Sequence, residues 1–388
     1  RQVPVLDRAG VAAEGGRGNA GAFAFPDIMP LASPGMLRKA PRWLLDPLGP
    51  LSIAPAYLPR IAPWLFHFWR ASRPERIKAS AAAQAALMDL SIVETPAMLA
   101  SAGATDMLRS DGVLHLYESE AELAAAQPGW QARADHGIAF THLHGAQAIA
   151  ELQPGLSPAL VAATFLPAWK TIADPLRLTQ ALARRFTERG GCLRRAEALA
   201  LEPTAGGIVV PLGGQRLTAQ HVVVAAGAWS HRLARTLGER VPLETERGYN
   251  TTLPVTAFDL KRQLTFDSHG FVVTPLACGV RVGGAVEFAG LDAPPNFERA
   301  AVLLAKAKRF MPGLATAGGT QWMGFRPSLP DSLPAVGAAA RDARVTYAFG
   351  HGHLGLTQSA ATARLVADIV FARASALDLT PLRPQRFA

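Results

Sequence analysis

The chain has 388 residues, 49% of them apolar and 18% charged, with 35 glycines and 30 prolines spread along it without a repeat period. That composition fits a folded protein of two domains and excludes a disordered or collagen-like chain. Only two cysteines, Cys192 and Cys278, are present, which excludes a disulfide scaffold and a cysteine-rich metal site and fits a reduced, cytoplasmic setting; the net charge of +9 lies mostly on scattered arginines, a pattern that suits anionic ligands better than nucleic acid.

The chain opens with Arg1 and enters an apolar run at once, the start expected of a fragment or a processed product. Val3-Pro4-Val5-Leu6-Asp7 reads as a buried strand that ends in an acid, and a glycine-rich loop, Gly15 to Gly21, follows. Residues 22–72 read as irregular, because Pro47, Pro50, Pro55, Pro59 and Pro63 interrupt them. Within that stretch Trp64, Phe66, Phe68 and Trp69 lie among Arg60, Arg70 and Arg73. These aromatics either cover the core, the simpler expectation, or make a peripheral contact with the inner face of a membrane. No signal peptide or membrane-spanning helix is expected.

Residues 75–90 have helical spacing, and strands are expected at 112–117, 138–143, 161–166 and 169–173, with short helices opening near 119 and 145. Asp174 is a good N-cap with Pro175 at the first helical position, and Gly190-Gly191 ends that helix. A meander over 193–218, a buried strand at 221–227 and a helix at 229–237 follow. Strands recur at 264–268, 270–274 and 280–286, joined by a helix at 297–311. The chain closes with a strand at 344–349, the turn Gly350-His351-Gly352-His353-Leu354-Gly355 and a helix at 356–373. Strand–helix units at the two ends with β-rich matter between them predict a nucleotide-binding domain, split in sequence by a substrate domain. The expected division is 1–84, 171–241 and 326–388 against 85–170 and 242–325.

The terminal turn is the strongest chemical signal. Three glycines in six residues let the backbone approach a ligand, and the following helix presents free N–H groups to an anionic or polarised oxygen. A tight structural turn would use the same glycines. Gly16-Arg17-Gly18-Asn19-Ala20-Gly21 fits G-x-G-x-x-G formally, but neither follows its strand directly nor opens a helix, so it is rejected as a dinucleotide fingerprint. Asp7, ending its strand, could hold ribose hydroxyls or be an ordinary strand-end acid. Ala226-Gly227 offers close approach to a nucleotide, or plain α/β packing. Arg326 stands between apolar neighbours and could clamp a carboxylate or pair with Asp331. Tyr249 offers a hydroxyl of similar use or is structural. The histidines form no metal set, and no G-x-S-x-G elbow is present.

Val5-Leu6-Asp7-Arg8, Gly18-Asn19-Ala20-Gly21, Leu31-Ala32-Ser33-Pro34-Gly35, Val223 to Ser230, Gly324-Phe325-Arg326-Pro327 with Pro330-Asp331, and Gly350 to Thr357 together resemble the D-amino-acid oxidase superfamily of FAD-dependent enzymes. They are most similar to its bacterial D-amino-acid dehydrogenases. The resemblance implies an α/β plus α+β fold: a Rossmann-like FAD-binding domain of the glutathione-reductase type and a substrate domain on a large mixed β-sheet. It implies that the family's first strand and its G-x-G-x-x-G precede Arg1. It gives FAD contacts to Asp7, Arg8, Asn19, Ala20, Gly21, Ala226, Gly227, Gly350, Gly352, His353, Leu354, Gly355, Leu356 and Thr357. Substrate contacts fall to Arg326 and Tyr249. The implied reaction is hydride transfer from Cα of a D-amino acid, cyclic ones such as D-proline or a hydroxyproline included, to flavin N5. The amine is neutral when it reacts and no dedicated base is required. A quinone-linked chain or oxygen reoxidises the flavin. A glycine or sarcosine oxidase is the second reading, and a cofactor-free relic or scaffold subunit is the third.

Overall fold

A computed structural model describes residues 3–32, 43–44, 46 and 48–387. Arg1, Pro47 and the Ser33-Pro34-Gly35 part of the family-like stretches lie outside the described residues. Two small sheets carry the strand–helix units of the chain ends. Pro4–Asp7 pairs in parallel with Cys192–Arg195. Val222–Val224 pairs in parallel with Val345–Phe349, which continues antiparallel to Ala335–Ala338. Leu6 reaches from the first sheet into the apolar cluster of the second, around Val224, Val345 and Tyr347.

Beside them lies a nine-stranded sheet. Its order is Thr320–Ser328, Glu244–Leu253, Gly279–Phe288, Phe271–Leu276, Gln263–Phe266, Val113–Tyr117, Ala162–Leu166 and Thr141–His144, and Leu51–Ile53 joins beside Gly279–Phe288. Pairing is antiparallel except at Gln263–Phe266 with Val113–Tyr117 and at Leu51–Ile53, so the sheet is mixed. Alternation along each strand sorts its two faces. Leu114, Leu264, Phe266, Val280 and Val282 point into a core that also takes Leu303 and Phe310 of the helix Glu298–Phe310. His115, Gln263, Arg281, Asn250 and Glu246 lie on the other face, which floors a large cavity.

The N-cap expected at Asp174 forms: its side chain accepts from the Arg177 amide and starts the helix Pro175–Glu188. Several elements depart from expectation. The helix Leu58–Ala71 occupies the stretch read as irregular; Pro59 sits in its first turn and Pro63 lies inside it, with Ile61 and Trp64 buried. The helix read as 75–90 runs from Pro74 to Ala102 and ends on Gly103 in the left-handed conformation. At 29 residues it is long and apolar enough to cross a membrane. Its buried positions Ala81, Gln84, Leu87, Met88, Ser91, Thr95 and Leu99 make one stripe, and the helix packs on Ser359–Val370 and Pro175–Glu188. Cys192–Arg195 belongs beside Pro4–Asp7, so the meander is the smaller antiparallel sheet of Glu202–Thr204, Gly207–Pro211 and Arg216–Ala219. The expected domain boundaries at 84/85 and 325/326 fall inside a helix and a strand.

Candidate active site

The cavity over the large sheet measures about 1080 Å³. Its floor is set by the antiparallel pairing of Glu244–Leu253 with Thr320–Ser328, which puts Glu246 opposite Arg326, Gly248 opposite Gly324 and Asn250 opposite Trp322. With a side-chain period of two, all six face one way. Gly248 gives the guanidinium its place: a Cβ there would overlap the Arg326 guanidinium, which lies against that backbone, and would force it to shift. Arg326 is half-buried and its Nη1 donates to Ala285 O at 2.8 Å. Burial lowers its pKa from the ordinary arginine value, while the charge of Glu246 works the other way.

Glu246 is the residue that sequence reasoning missed. Its side chain is only 4% exposed, and Oε2 lies 2.7 Å from His353 Nε2. Burial works against its charged form, but the hydrogen bond with His353 and the charge of Arg326 outweigh that, so its pKa lies below the ordinary carboxylate value. The signal was available in Glu244-Thr245-Glu246-Arg247-Gly248-Tyr249-Asn250, whose acid, glycine and amide recur at alternate positions.

The terminal turn meets this floor. Gly352, His353, Leu354, Gly355 and Leu356 line the cavity, as do Asn19 and Ala20 from the glycine-rich loop. Gly350 and Gly352 have φ of 84° and 53°, conformations that favour glycine. The loop is tied to the sheet by Asn250 Nδ2, which donates to Gly18 O at 3.0 Å, and by Arg281, which donates to Asn19 O. No helix opens at Gly16 to Gly21, in line with rejecting that match as a fingerprint. Gly21 and Thr357 sit behind the wall. Gly21 N donates to Asn19 Oδ1, and the Thr357 hydroxyl accepts from Ala24 N and donates to Ala22 O. Gly350 lines a small neighbouring cavity with His351.

Asp7, Arg8, Ala226 and Gly227 are not in the cavity lining; they form a second group at the small sheets. Asp7 Oδ1 accepts from the Ala9 and Gly10 amides at 2.8 and 2.7 Å. Arg8 bonds Glu14 and stacks its guanidinium 3.6 Å from the Trp229 ring centre, next to Gly227. Tyr249 needs correction. It borders the cavity, but the alternation of its strand turns the side chain to the face opposite Arg326, where its hydroxyl donates to Glu287 at 2.5 Å and accepts from Asn296 N. Burial and Glu287 push that hydroxyl up to about 12. Asp331, considered as the partner of Arg326, pairs instead with Arg386 at 2.7 Å. Among the described residues no cluster of His, Cys, Asp or Glu suits a metal.

The residues present fit a dinucleotide. The volume reaches the upper end of the ~300–1,000 Å³ usual for small-molecule pockets. Buried polar atoms Asn250 Oδ1 and Thr265 Oγ1 line it without a protein partner, and glycines from three walls leave its surface low.

A family model described as FAD dependent oxidoreductase, DAO, matches residues 1–369. The chain is 34% identical over 379 residues to a D-amino-acid oxidase of Bradyrhizobium diazoefficiens, covering 95% of this chain and 89% of that protein. It is 31% identical over 396 residues to a D-amino acid dehydrogenase of Sinorhizobium medicae, covering 100% and 94%. The glycine oxidase of Geobacillus kaustophilus superposes with a TM-score of 0.76 at 20% identity, over 99% of this chain and 92% of that one, which shows a shared fold. The chain therefore belongs to the DAO family of FAD-dependent oxidoreductases, and FAD is its cofactor.

Proposed function

We propose that this oxidoreductase removes hydride from Cα of a D-amino acid whose carboxylate is held by Arg326. The observation that carries the reading is the Arg326 guanidinium, half-buried on the floor of the large cavity that also meets the terminal turn. A planar fork in an apolar wall suits a carboxylate, which it can bind through two parallel hydrogen bonds. Relatives named for D-amino acids support the choice of enantiomer.

FAD, when bound, accepts the hydride. Under this reading the backbone of Gly352 to Leu356 would hold its reacting end, and the start of the Ser359–Val370 helix would favour negative charge there. Asn19 and Ala20 would hold the middle, while Asp7 and Arg8 with Ala226 and Gly227 would hold the nucleotide end beyond the strand termini. Gly248 leaves room for Arg326 to lie flat, and Tyr249, by its hydrogen bond to Glu287, ties the strand of Gly248 to its neighbour Gly279–Phe288. The protein's contribution is alignment and exclusion of water. The imine product hydrolyses in water, to a 2-oxo acid and ammonia when the amine is primary. The setting we infer is cytoplasmic. A contact with anionic lipid is supported by exposed Phe66 and Trp69 beside Arg70 and Arg73.

Steady-state kinetics test the assignment. Arg326→Ala removes a charge-assisted contact of about 1.5–3 kcal/mol, so kcat/KM for the best D-amino acid falls roughly 10- to 100-fold while FAD remains bound. An unchanged kcat/KM would sink it. The same assay run with glycine and sarcosine separates the neighbouring substrate class, and oxygen uptake against quinone reduction separates the acceptors.

A further inference from the structure

Glu246 poses a problem that substrate-carboxylate binding alone does not solve. A carboxylate buried opposite Arg326 cancels part of the charge that should hold an anion. The arrangement makes sense if the ligand brings a cation of its own beside its carboxylate. An α-amino acid does, and its ammonium must lose a proton before hydride can leave Cα, because the nitrogen lone pair drives the C=N bond.

We propose that His353 is the proton acceptor for the substrate's ammonium group and that Glu246 is the positioning residue that holds His353 for this task. The inference rests on the reading that Arg326 receives the carboxylate. His353 stands in the terminal turn with its side chain 38% exposed, and it lines the cavity. Its Nε2 faces Glu246 at 2.7 Å; among the described residues no protein group bonds Nδ1. A carboxylate behind one ring nitrogen holds the proton there and leaves the other nitrogen as the acceptor, the logic of the acid–histidine pair in hydrolases. In the step, the N–H bond of the ammonium breaks, its electron pair stays on nitrogen and the proton goes to Nδ1. The imidazolium is balanced by Glu246 and later releases its proton to water through the cavity mouth. The hydride step itself still needs no base.

Other titratable groups of the cavity have partners of their own: His115 Nδ1 lies 2.7 Å from Asp267 on the far strands of the floor. Arg326 faces Glu246 from the adjacent strand. His351, on the same turn, has Nε2 2.9 Å from the Thr362 hydroxyl, and burial holds its pKa down to about 4. Glu244, two residues along, accepts from the Tyr57 hydroxyl. Asp27, across the cavity, pairs with Arg133 at 3.0 Å.

The test uses the FAD-loaded protein and two probes under nitrogen: a D-amino acid, read as flavin reduction rate against pH, and a carboxylate of the same carbon skeleton without the amine, read by the flavin spectral change on binding. In Glu246→Gln the rate at subsaturating amino acid should fall about tenfold at neutral pH and recover at high pH, where the free amino acid arrives with its amine already neutral. Binding of the amine-free carboxylate should stay level or tighten, and FAD affinity should not change. His353→Gln should move the pH profile the same way. A profile that does not move, or equal weakening of both probes, overturns the proposal. Failure of the parent reading is distinct: amine-free carboxylate binding would then survive Arg326→Ala. If Glu246→Gln does not take up FAD, His353→Gln, whose side chain is partly in solvent, decides the matter by the same profile.

Discussion

At the scale of single residues, the site depends on which face of one strand a side chain takes. Glu246, Gly248 and Asn250 face the cavity, and Arg247, Tyr249 and Thr251 face away. Tyr249 and Arg326 looked equally suited to a carboxylate when each was considered alone, and a period of two separates them. Gly248 offers a sharper test than deletion of Arg326. Gly248→Ala adds one methyl group where the guanidinium lies, and overpacking of this kind typically costs about 1–3 kcal/mol. The variant should bind FAD normally and lose roughly tenfold in kcat/KM, mostly through KM. Normal KM in that variant would mean that the guanidinium is free to lie elsewhere. The place of Arg326 in the cavity lining was foreshadowed because an arginine among apolar neighbours stands out. Glu246 was not, because its partner His353 is 107 residues away and only pairing across the fold brings them within 2.7 Å.

At the scale of elements, local chemistry was readable and long-range pairing was not. Asp174 followed by Pro175 identified a helix start to the residue. Asp174→Ala removes the acceptor for the Arg177 amide and should lower stability by about 1 kcal/mol, seen as a fall in Tm of a few degrees, with the ligand affinities unchanged. An unaltered Tm would show that the cap is idle. The prolines between 55 and 63 misled in the other direction. Proline ends helices in their interior but suits the first turn, and Pro59 stands there. The strand Glu244–Leu253 went unread because its cavity face is polar, so the apolar alternation that betrays a strand is missing. Functional demand on that face overrode the local pattern.

At the scale of the whole molecule, the order of strand–helix units and β-rich stretches conveyed a mixed α/β fold with a large mixed sheet. It conveyed nothing of register. Pro4–Asp7 finds Cys192–Arg195 across most of the first half of the chain, and Val222–Val224 finds Val345–Phe349 across more than a hundred residues. Those pairings are fixed by which faces bury together, not by local propensity. The same layout leaves the cavity between a sheet floor and loops from both chain ends, so its contents should contribute to holding them together. FAD at about 100 times its Kd is expected to stabilise the folded state by about 2.7 kcal/mol. Thermal melts with and without added FAD should show a clear rise in Tm. Equal melting temperatures would argue against FAD seated in this cavity.

The most direct measurement is the visible spectrum of the FAD-loaded protein under nitrogen during titration with paired D- and L-amino acids. The account predicts that the flavin bands bleach with D-amino acids and persist with their L-enantiomers, and that Arg326→Ala requires far more substrate for the same bleaching. Bleaching by L-enantiomers, or a spectrum that no amino acid alters, would contradict it.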